Sequence, residues 1–340
     1  MIRNTYNAMR KIKRVCKNRA FILFAFLACN VSAKVGAQTI SDEVIVIGAA
    51  VTEALDNLPS RPLYFRAGNL MFKDTSTSII RALGTAIVWK YEKQTEGDLH
   101  IPHHVKVGFD RFEIKGLAEG CLANCDMSSV NIPLDTRTIP ARCFSTCSNL
   151  RQVAVPDRVT FVEMCAFKWC SSLKSIDFPS GLKYIGEACF EQSGLETFTV
   201  PKSVEFIGKR AFANCKALRS ITFTGHRVGY IDGEVFENCD SLTDITLPVG
   251  CTTIYSYAFR NSGLKRLSLP PQMQAIYTKA FEGTALEHVD CHAQNPPKIA
   301  MGTFTEADVK RIELHVPAGR EQAYRSVGVW NRFAKIIADL

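Results

Sequence analysis

A short pattern of apolar and polar positions repeats along residues 130–286 with a period of 22–24 residues. Each repeat begins with an alternating segment, such as the one in which polar residues separate Leu173, Ile176 and Phe178. Alternation of this kind is typical of a strand with one buried face. In most repeats a proline, a second apolar pair and an Ala-Phe pair follow. The aromatic positions that mark the period are Phe144, Phe167, Phe190, Phe212, Phe236, Phe259, Phe281 and Phe304.

This period predicts the fold class. Repeats of roughly 20–29 residues with Leu-x-x-Ile spacing are typical of leucine-rich-repeat arrays, in which each repeat forms one coil of a solenoid. We therefore expect a β-rich solenoid, a leucine-rich-repeat array of about nine coils of 22–24 residues with parallel strands and a cap at each end. In every coil the Phe ring should fill the interior. Proline should end the strand because it has no N–H to donate.

The repeat also sets the expected domain boundaries. Residues 1–33 are predicted to be a signal peptide and residues 38–98 an N-terminal cap or a small unassigned region. The solenoid should cover residues 99–291, and residues 292–340 should form the last coil and a C-terminal cap, which contains Trp330.

Two local expectations concern the N-terminal part of the array. The spacing of Ile79, Ile80, Leu83, Ala86 and Ile87 within Ser76 to Val88 predicts an amphipathic helix. The first repeat is longer than the others, and we expect its extra residues around Phe109 to Lys115.

The first residues of the chain indicate export. A basic start precedes an apolar run from Ala20 to Cys29, which is too short to cross a bilayer and has the order of a secretory signal peptide. Cleavage after residue 33 or 37 fits the small residues there. Cleavage after residue 28 fits a loose bacterial lipobox that would leave Cys29 as a lipid attachment site. The predicted location is therefore secreted, periplasmic or at the bacterial cell surface, with a lipid as the only expected membrane anchor.

The net charge of +8 does not indicate a nucleic-acid partner. Eight basic residues and no acidic residue lie within residues 1–37, which leaves 33 basic against 33 acidic residues in the rest of the chain. A basic surface patch is the usual signature of nucleic-acid binding. No such excess remains after the leader, so no nucleic-acid partner is expected.

The cysteines suggest zinc at first sight, because Cys121, Cys125, Cys143 and Cys147 have paired spacing. In the repeat register, however, Cys125, Cys147, Cys170, Cys215 and Cys239 share one position and Cys121, Cys143 and Cys189 share another. Residues that share a position stack along a solenoid. A ladder of buried thiols is therefore predicted, with an inter-coil disulfide or a zinc site as the alternatives.

No motif indicates catalysis, and neither a cofactor nor a metal is predicted. Val44 to Leu55 resembles the start of a dinucleotide fold, but Ala50 and Glu53 occupy two of the required glycine positions. His100, His103 and His104 lack a partner with ligand spacing and are expected to be solvated. Cys291 and His292 should point to opposite faces of a strand, which prevents a dyad.

The repeat phrase, quoted from Ile207, Ala211, Phe212, Cys215, Leu218 and Ile221, resembles the BspA-type leucine-rich repeat. The segment from Val316 to Tyr324 and on to Phe333 is similar to the one that closes such arrays, so the resemblance covers about residues 100–340. It implies an exported or surface protein of host-associated bacteria that binds proteins or host surfaces. It supplies no catalytic residue.

Binding is therefore expected at the positions that the period leaves free. Polar residues between the apolar ones of each long strand should share the concave face of a curved sheet. The predicted function is a non-catalytic, monomeric adhesion or binding protein for a protein or host-surface macromolecule. The alternatives are an enzyme with a site in or against residues 38–98 and a structural surface protein without a specific ligand. The candidate binding residues are Gln152, Asp177, Thr199, Thr222, Asp244, Thr246, Arg266, His288 and Asp290.

Overall fold

The computed structural model describes residues 64–76, 83–91, 97–107 and 110–340. The predicted signal peptide, the possible lipid attachment site Cys29 and the Val44 to Leu55 segment lie outside the described residues.

The described chain begins with a mixed five-stranded sheet. Its strands are β1 (Tyr64–Ala67), β2 (Leu70–Asp74), β3 (Leu83–Tyr91), β5 (His104–Val107) and β6 (Asp110–Leu117). The strand order is β1-β2-β3-β6-β5, with β3 and β6 parallel and the other pairs antiparallel. Residues 110–115, which fall in the region expected to hold the extra residues of the first repeat, lie in β6, antiparallel to β5. The sheet takes strands from both sides of residue 99.

The helix predicted for Ser76 to Val88 is wrong where the structure describes it. Residues 83–88 belong to β3, in which Ala86 and Val88 are fully buried. The spacing of apolar residues such as Ala86 and Val88 fits a helical period and a strand alternation equally well. The β-branched residues Thr85, Ile87 and Val88 favour the strand, and pairing with β2 and β6 on both sides stabilises it.

The repeats form a β-solenoid with two parallel ladders of strands. The long strands form three sheets, in which strands of neighbouring coils pair, as Thr197 does with Ser220 and Arg266 with His288. Residues 173–178 occupy the same place in their coil without a regular strand. The long strands are β4 (Gly97–Leu99), β7 (Met127–Asn131), β9 (Gln152–Ala154), β12 (Thr197–Val200), β14 (Ser220–Phe223), β16 (Asp244–Thr246), β18 (Arg266–Leu269), β20 (His288–Cys291), β22 (Glu313–Val316) and β23 (Lys335–Ala338).

A second ladder consists of two-residue strands in two four-stranded sheets, and each strand follows the proline position of its coil. Only the second residue of these strands is buried in most coils, as Ile185 and Ile207 are. The short strands are β8 (Thr138–Ile139), β10 (Phe161–Val162), β11 (Tyr184–Ile185), β13 (Phe206–Ile207), β15 (Tyr230–Ile231), β17 (Thr253–Ile254), β19 (Ala275–Ile276) and β21 (Lys298–Ile299).

The predicted phenylalanines fill the interior of the coils. From Phe144 to Phe304 the neighbouring rings are stacked, with centroids 5.1–5.7 Å apart and planes inclined by 5–19°. A preceding small residue, such as Ala211 beside Phe212, is fully buried and permits close approach of the backbone. The solenoid of about nine coils with parallel strands is thus confirmed.

Each coil turns twice at residues with left-handed backbone conformation, one before and one after its Phe. Ala188 and Gln192 flank Phe190 with φ of 50° and 57°. Asn214 and Asn238 occupy the second of these positions in their coils, with φ of 59° and 55°. Asn suits the position because its short polar side chain tolerates positive φ. The Asn238 amide also donates to Asn214 Oδ1 at 2.9 Å.

The last coil is covered by the C-terminal segment. This segment contains α1 (Glu306–Arg311), α2 (Glu321–Arg325) and a 3-10 helix (Gly328–Arg332). Trp330 is buried and its indole N–H donates to the Pro297 carbonyl at 2.7 Å. The predicted C-terminal cap is therefore present. Within the described part of the chain, no helix has the length and apolar character needed to cross a membrane.

Candidate binding surfaces

The parallel register brings the predicted binding residues onto one surface, which we call the strand face. Eight of the nine lie in long strands, and the ninth, Asp177, lies in the segment without a regular strand. The seven residues from Gln152 to Arg266 are exposed, whereas His288 and Asp290 are half-buried. The structure thus places these side chains where the alternation predicts.

The strand face consists mainly of short polar side chains. Its central part is hydroxyl-rich, as at Thr199 and Thr222, which pair across β12 and β14. Asp244 and Arg266 form a long ion pair of 4.0 Å between exposed side chains. Exposed ion pairs contribute little to binding or stability. Since protein interfaces draw most of their energy from Tyr, Trp and Arg, this face alone provides few strong contacts.

The strand face continues beyond the residues that the sequence pattern identified. In the parallel register His288 pairs with Glu313 and Asp290 with His315 on β22. The candidate residues predicted from the sequence end at β20 because the repeat pattern of apolar and polar positions decays after residue 286. The alternation of Leu314 and Val316 with polar residues was the signal that could have extended them.

A second surface is aromatic, and the repeat pattern did not predict it. Rings from six successive coils form a continuous row along the short-strand ladder, which we call the aromatic ribbon. Consecutive ring centroids lie 4.8–6.2 Å apart. The ribbon consists of Phe161, Tyr184, Phe206, Tyr230, Tyr255 and Tyr277.

The ribbon lies at the protein surface. Phe161, Tyr255 and Tyr277 are 44%, 38% and 45% exposed, and the other three rings are half-buried. Partial burial raises the pKa of the Tyr184 and Tyr230 hydroxyls above its usual range. Stacking between neighbouring coils stabilises the short strands. This explains why the ring faces are in contact, but it does not explain why aromatic edges are exposed to solvent.

Local sequence explains why the ribbon is continuous. In four coils an aromatic residue occupies the outward position of the short strand, immediately before its buried Ile or Val. In the next two coils the outward positions hold Thr253 and Ala275, and the rings come from Tyr255 and Tyr277, two residues later on the same side. The row therefore shifts by two residues along the coil while ring contact persists. A search for aromatic residues flanking the second apolar pair would have found it.

A shallow cleft lies at the C-terminal end of the ribbon. Tyr277 forms part of its wall, together with Pro271, Gln274, Asn295 and Pro297. Amide and phenol groups in this cleft offer hydrogen bonds beside the exposed ring. The ribbon and the cleft together provide an apolar row with a polar end.

A third surface feature is a charged network on the side of the Ala-Phe turns. Arg210 donates to Glu191 at 2.7 Å and to Glu234 at 2.6 Å, and Glu237 also contacts it. Burial disfavours the charged forms of Glu191 and Glu234. Hydrogen bonds from Arg210, Lys168 and Lys209 outweigh this effect and lower the pKa of both carboxyl groups. The network ties successive coils together.

The cysteines form the predicted thiol columns. All eleven in the described residues are free, and ten of them are buried. In four coils the thiol donates to a carbonyl of the preceding coil, as Cys170 does to Phe144 at 3.1 Å and Cys215 to Phe190 at 3.0 Å. The sulfurs of Cys121 and Cys143 lie 3.7 Å apart, which is contact without a bond. These thiols hold coils together.

The other residues considered for metal binding or catalysis are three histidines and Cys291, and they do not come together in the described structure. His100, His103 and His104 are exposed, as expected for solvated residues. Cys291 points into the core, where its sulfur lies 3.2 Å from the Tyr324 hydroxyl, and burial raises the pKa of its thiol. A buried thiol of this kind is a poor nucleophile.

Comparison with known proteins agrees with this architecture. The family described as the BspA type leucine rich repeat region matches in six copies over residues 115–240 and 229–318, which is more than half of the chain. The chain belongs to the BspA-type leucine-rich repeat family. Among curated proteins, no match is found.

Solved structures of other leucine-rich repeat proteins are similar. One from Bacteroides ovatus has a TM-score of 0.60 at 19% identity and covers 81% of this chain and 76% of its own. At this identity the similarity supports the fold alone. A leucine rich cell surface protein from Faecalibacterium prausnitzii is 18% identical, covers 83% of this BspA-type chain and 99% of its own, and has a TM-score of only 0.36.

Proposed function

We propose that this BspA-type protein is an exported, non-catalytic binding protein that contacts a protein partner on a host or cell surface through the aromatic ribbon. The observation that carries the proposal is the row of six surface rings across six coils, three of them more than a third exposed. Aromatic side chains dominate the energy of protein interfaces because they bury large areas at low entropic cost.

The shape of the ribbon favours an extended contact. Five spacings of 4.8–6.2 Å give a row roughly 28 Å long from ring to ring. Rings that already stack on one another lose little conformational freedom when a partner covers them, which favours affinity. The cleft beside Tyr277 adds hydrogen-bonding groups at one end. The strand face is the second candidate surface, and its exposed hydroxyls suit weak or multivalent contacts.

Export and the absence of catalysis are parts of the same proposal. The basic and apolar segments of residues 1–37 support export, with Cys29 as a possible lipid attachment site. Membership of a repeat family and the burial of ten of the eleven described thiols support a non-catalytic role. A monomer fits this role, because the C-terminal segment covers the last coil of the array.

Binding of the purified, labelled chain to two arrays tests the proposal, one of immobilised extracellular-matrix and cell-surface proteins and one of glycans. We expect saturable binding to at least one protein that remains when its glycans are removed. Binding to glycans alone, or to neither array, contradicts a protein partner. Turnover of generic ester, glycoside or peptide substrates by the purified chain, abolished by a substitution within residues 64–98, would support the enzyme alternative instead.

A further inference from the structure

Three potential metal ligands converge at the C-terminal end of the strand face. His288 lies on β20, and Glu313 and His315 lie on the neighbouring strand β22. One ligand atom from each residue lies within 4.8 Å of the other two. The two imidazole rings are side by side, with centroids 4.3 Å apart. Residues 25 and 27 positions apart in the chain thus face one point in space.

A carboxylate orients each imidazole. His288 Nε2 lies 2.8 Å from Asp290 Oδ1, and His315 Nδ1 lies 2.8 Å from Asp339 Oδ1. When each of these nitrogens donates to its carboxylate, the proton position is fixed and the other nitrogen keeps its lone pair. The free atoms are then His288 Nδ1 and His315 Nε2. Metal-binding histidines have this arrangement, because a carboxylate on the second nitrogen fixes the tautomer and raises the basicity of the ligand.

One of these nitrogens is buried without a partner. His315 Nε2 is inaccessible to water and makes no hydrogen bond within the described residues. Only 14% of the side chain is exposed. Leaving a buried polar atom unpaired is unfavourable. A simple hydrogen-bonded surface cluster does not explain this atom, whereas a bound cation would satisfy it.

We propose that His288, Glu313 and His315 form a binding site for one divalent cation of the zinc class. Two neutral imidazoles and one carboxylate are a common zinc donor set, and three protein ligands leave a fourth position for water. Tetrahedral zinc with bonds of about 2.0–2.2 Å needs ligand atoms roughly 3.4 Å apart. The side chains therefore move inward by about 1 Å or less when the cation binds.

The charge balance around the site makes a specific variant informative. The Lys335 ammonium contacts Glu313 Oε1 and competes with a cation for this carboxylate. Removing that ammonium while keeping the chain length, as in Lys335→Met, should strengthen metal binding. Non-specific binding of zinc to exposed histidines elsewhere would not respond to this change.

The test is calorimetric titration of the full, untagged chain with zinc chloride after chelator treatment and dialysis. We expect one equivalent per chain, at least about tenfold weaker binding in His315→Ala and in Glu313→Gln, and tighter binding in Lys335→Met. The exposed His104→Ala is the matched control and should bind as the parent chain does. Zinc should also raise the melting temperature of the parent chain but not that of His315→Ala.

No saturable binding, or the same affinity in His315→Ala as in His104→Ala, overturns the proposal. Circular dichroism verifies that each variant is folded. If His315→Ala does not fold, Glu313→Gln decides the question, because the amide keeps the size of the side chain. Unchanged zinc affinity in that variant then overturns the site.

Discussion

The rings of Tyr184 and Phe206 lie parallel, with centroids 4.8 Å apart and planes inclined by 6°. The two residues pair directly across β11 and β13. Each ring covers one face of its neighbour and leaves an edge open to solvent. The short-strand ladder therefore holds an aromatic surface in a fixed arrangement before any partner arrives.

We expect Tyr184 and Phe206 to stabilise each other. A double-mutant cycle with Tyr184→Ala and Phe206→Ala should give a coupling free energy of about 0.5–1.5 kcal/mol in urea unfolding, as found for stacked aromatic pairs. Phe161 and Tyr277 stand at opposite ends of the ribbon and serve as the control pair. Their coupling should be zero within about 0.5 kcal/mol. Equal coupling in both pairs would contradict a local stacking effect.

Gly194 should not tolerate a side chain. A Cβ at this position would lie 2.0 Å from the Ser171 carbonyl oxygen, so the backbone of one coil must shift. We expect Gly194→Ala to lower the free energy of unfolding by about 1–3 kcal/mol, the usual cost of forced overpacking. In the control, Gly181→Ala, the new Cβ would meet nothing within 4 Å. That variant should stay within about 0.5 kcal/mol of the parent chain.

Thiol labelling should distinguish one cysteine from the other ten in the described residues. Cys165 is half-buried, whereas the remaining ten are buried. Burial raises the pKa of the Cys170 thiol to about 12 and that of the Cys215 thiol to about 11. With pKa values this high, few of these thiols ionise at pH 8. They should react slowly, because the thiolate is the reactive form.

Among the eleven cysteines of the described residues, iodoacetamide at pH 8 should therefore label Cys165 first in the native chain, and all eleven only after unfolding. Peptide mapping by mass spectrometry measures this order, and Cys165→Ser should remove the early product. Rapid labelling of Cys170 in the folded chain, or a disulfide between Cys121 and Cys143, would contradict the thiol ladder.

The Arg210 network should make stability depend on acid pH. The pKa values of Glu191 and Glu234 are lowered in the folded chain, so their contribution is present above the ordinary glutamate pKa of 4.5 and is lost as pH falls through the folded values. Arg210→Met should flatten this loss below pH 4.5. At pH 7 it should cost about 1.5–3 kcal/mol.

Arg227→Met is the matched control for the network. Its partner Glu205 and Arg227 itself are both more than half exposed, and such pairs contribute about 0–1 kcal/mol. Chemical unfolding from pH 3 to pH 7 measures both variants. A parallel pH profile for Arg210→Met and the parent chain would show that the network does not govern acid stability.

The sequence predicts the solenoid because its core positions obey the period. The Phe144 to Phe304 stack, the thiol columns and the outward residues of the strand face all follow from register alone. β3 could not be distinguished from a helix, since Ala86 and Val88 fit either period and only pairing with β2 and β6 decides between them.

The aromatic ribbon and the cluster at His315 depend on contacts between coils that the repeat period does not predict. The aromatic ribbon changes position between Tyr230 and Tyr255, so no single repeat position identifies it. The cluster at His315 joins residues from two strands and a carboxylate, Asp339, from the end of the chain. The ribbon requires the ring contacts between coils, and the cluster requires the pairing of the last strands. The repeat pattern gives neither of them.

The most direct test of the account compares the affinities of two variants for the protein partner identified on the arrays. The ribbon variant replaces its three most exposed rings, Phe161→Ser, Tyr255→Ser and Tyr277→Ser. The strand-face variant carries Gln152→Ala, Thr222→Ala and Thr246→Ala. Surface plasmon resonance should show binding at least about tenfold weaker for the ribbon variant and unchanged for the strand-face variant, with both folded by circular dichroism. The reverse order of affinities would contradict the ribbon as the binding surface.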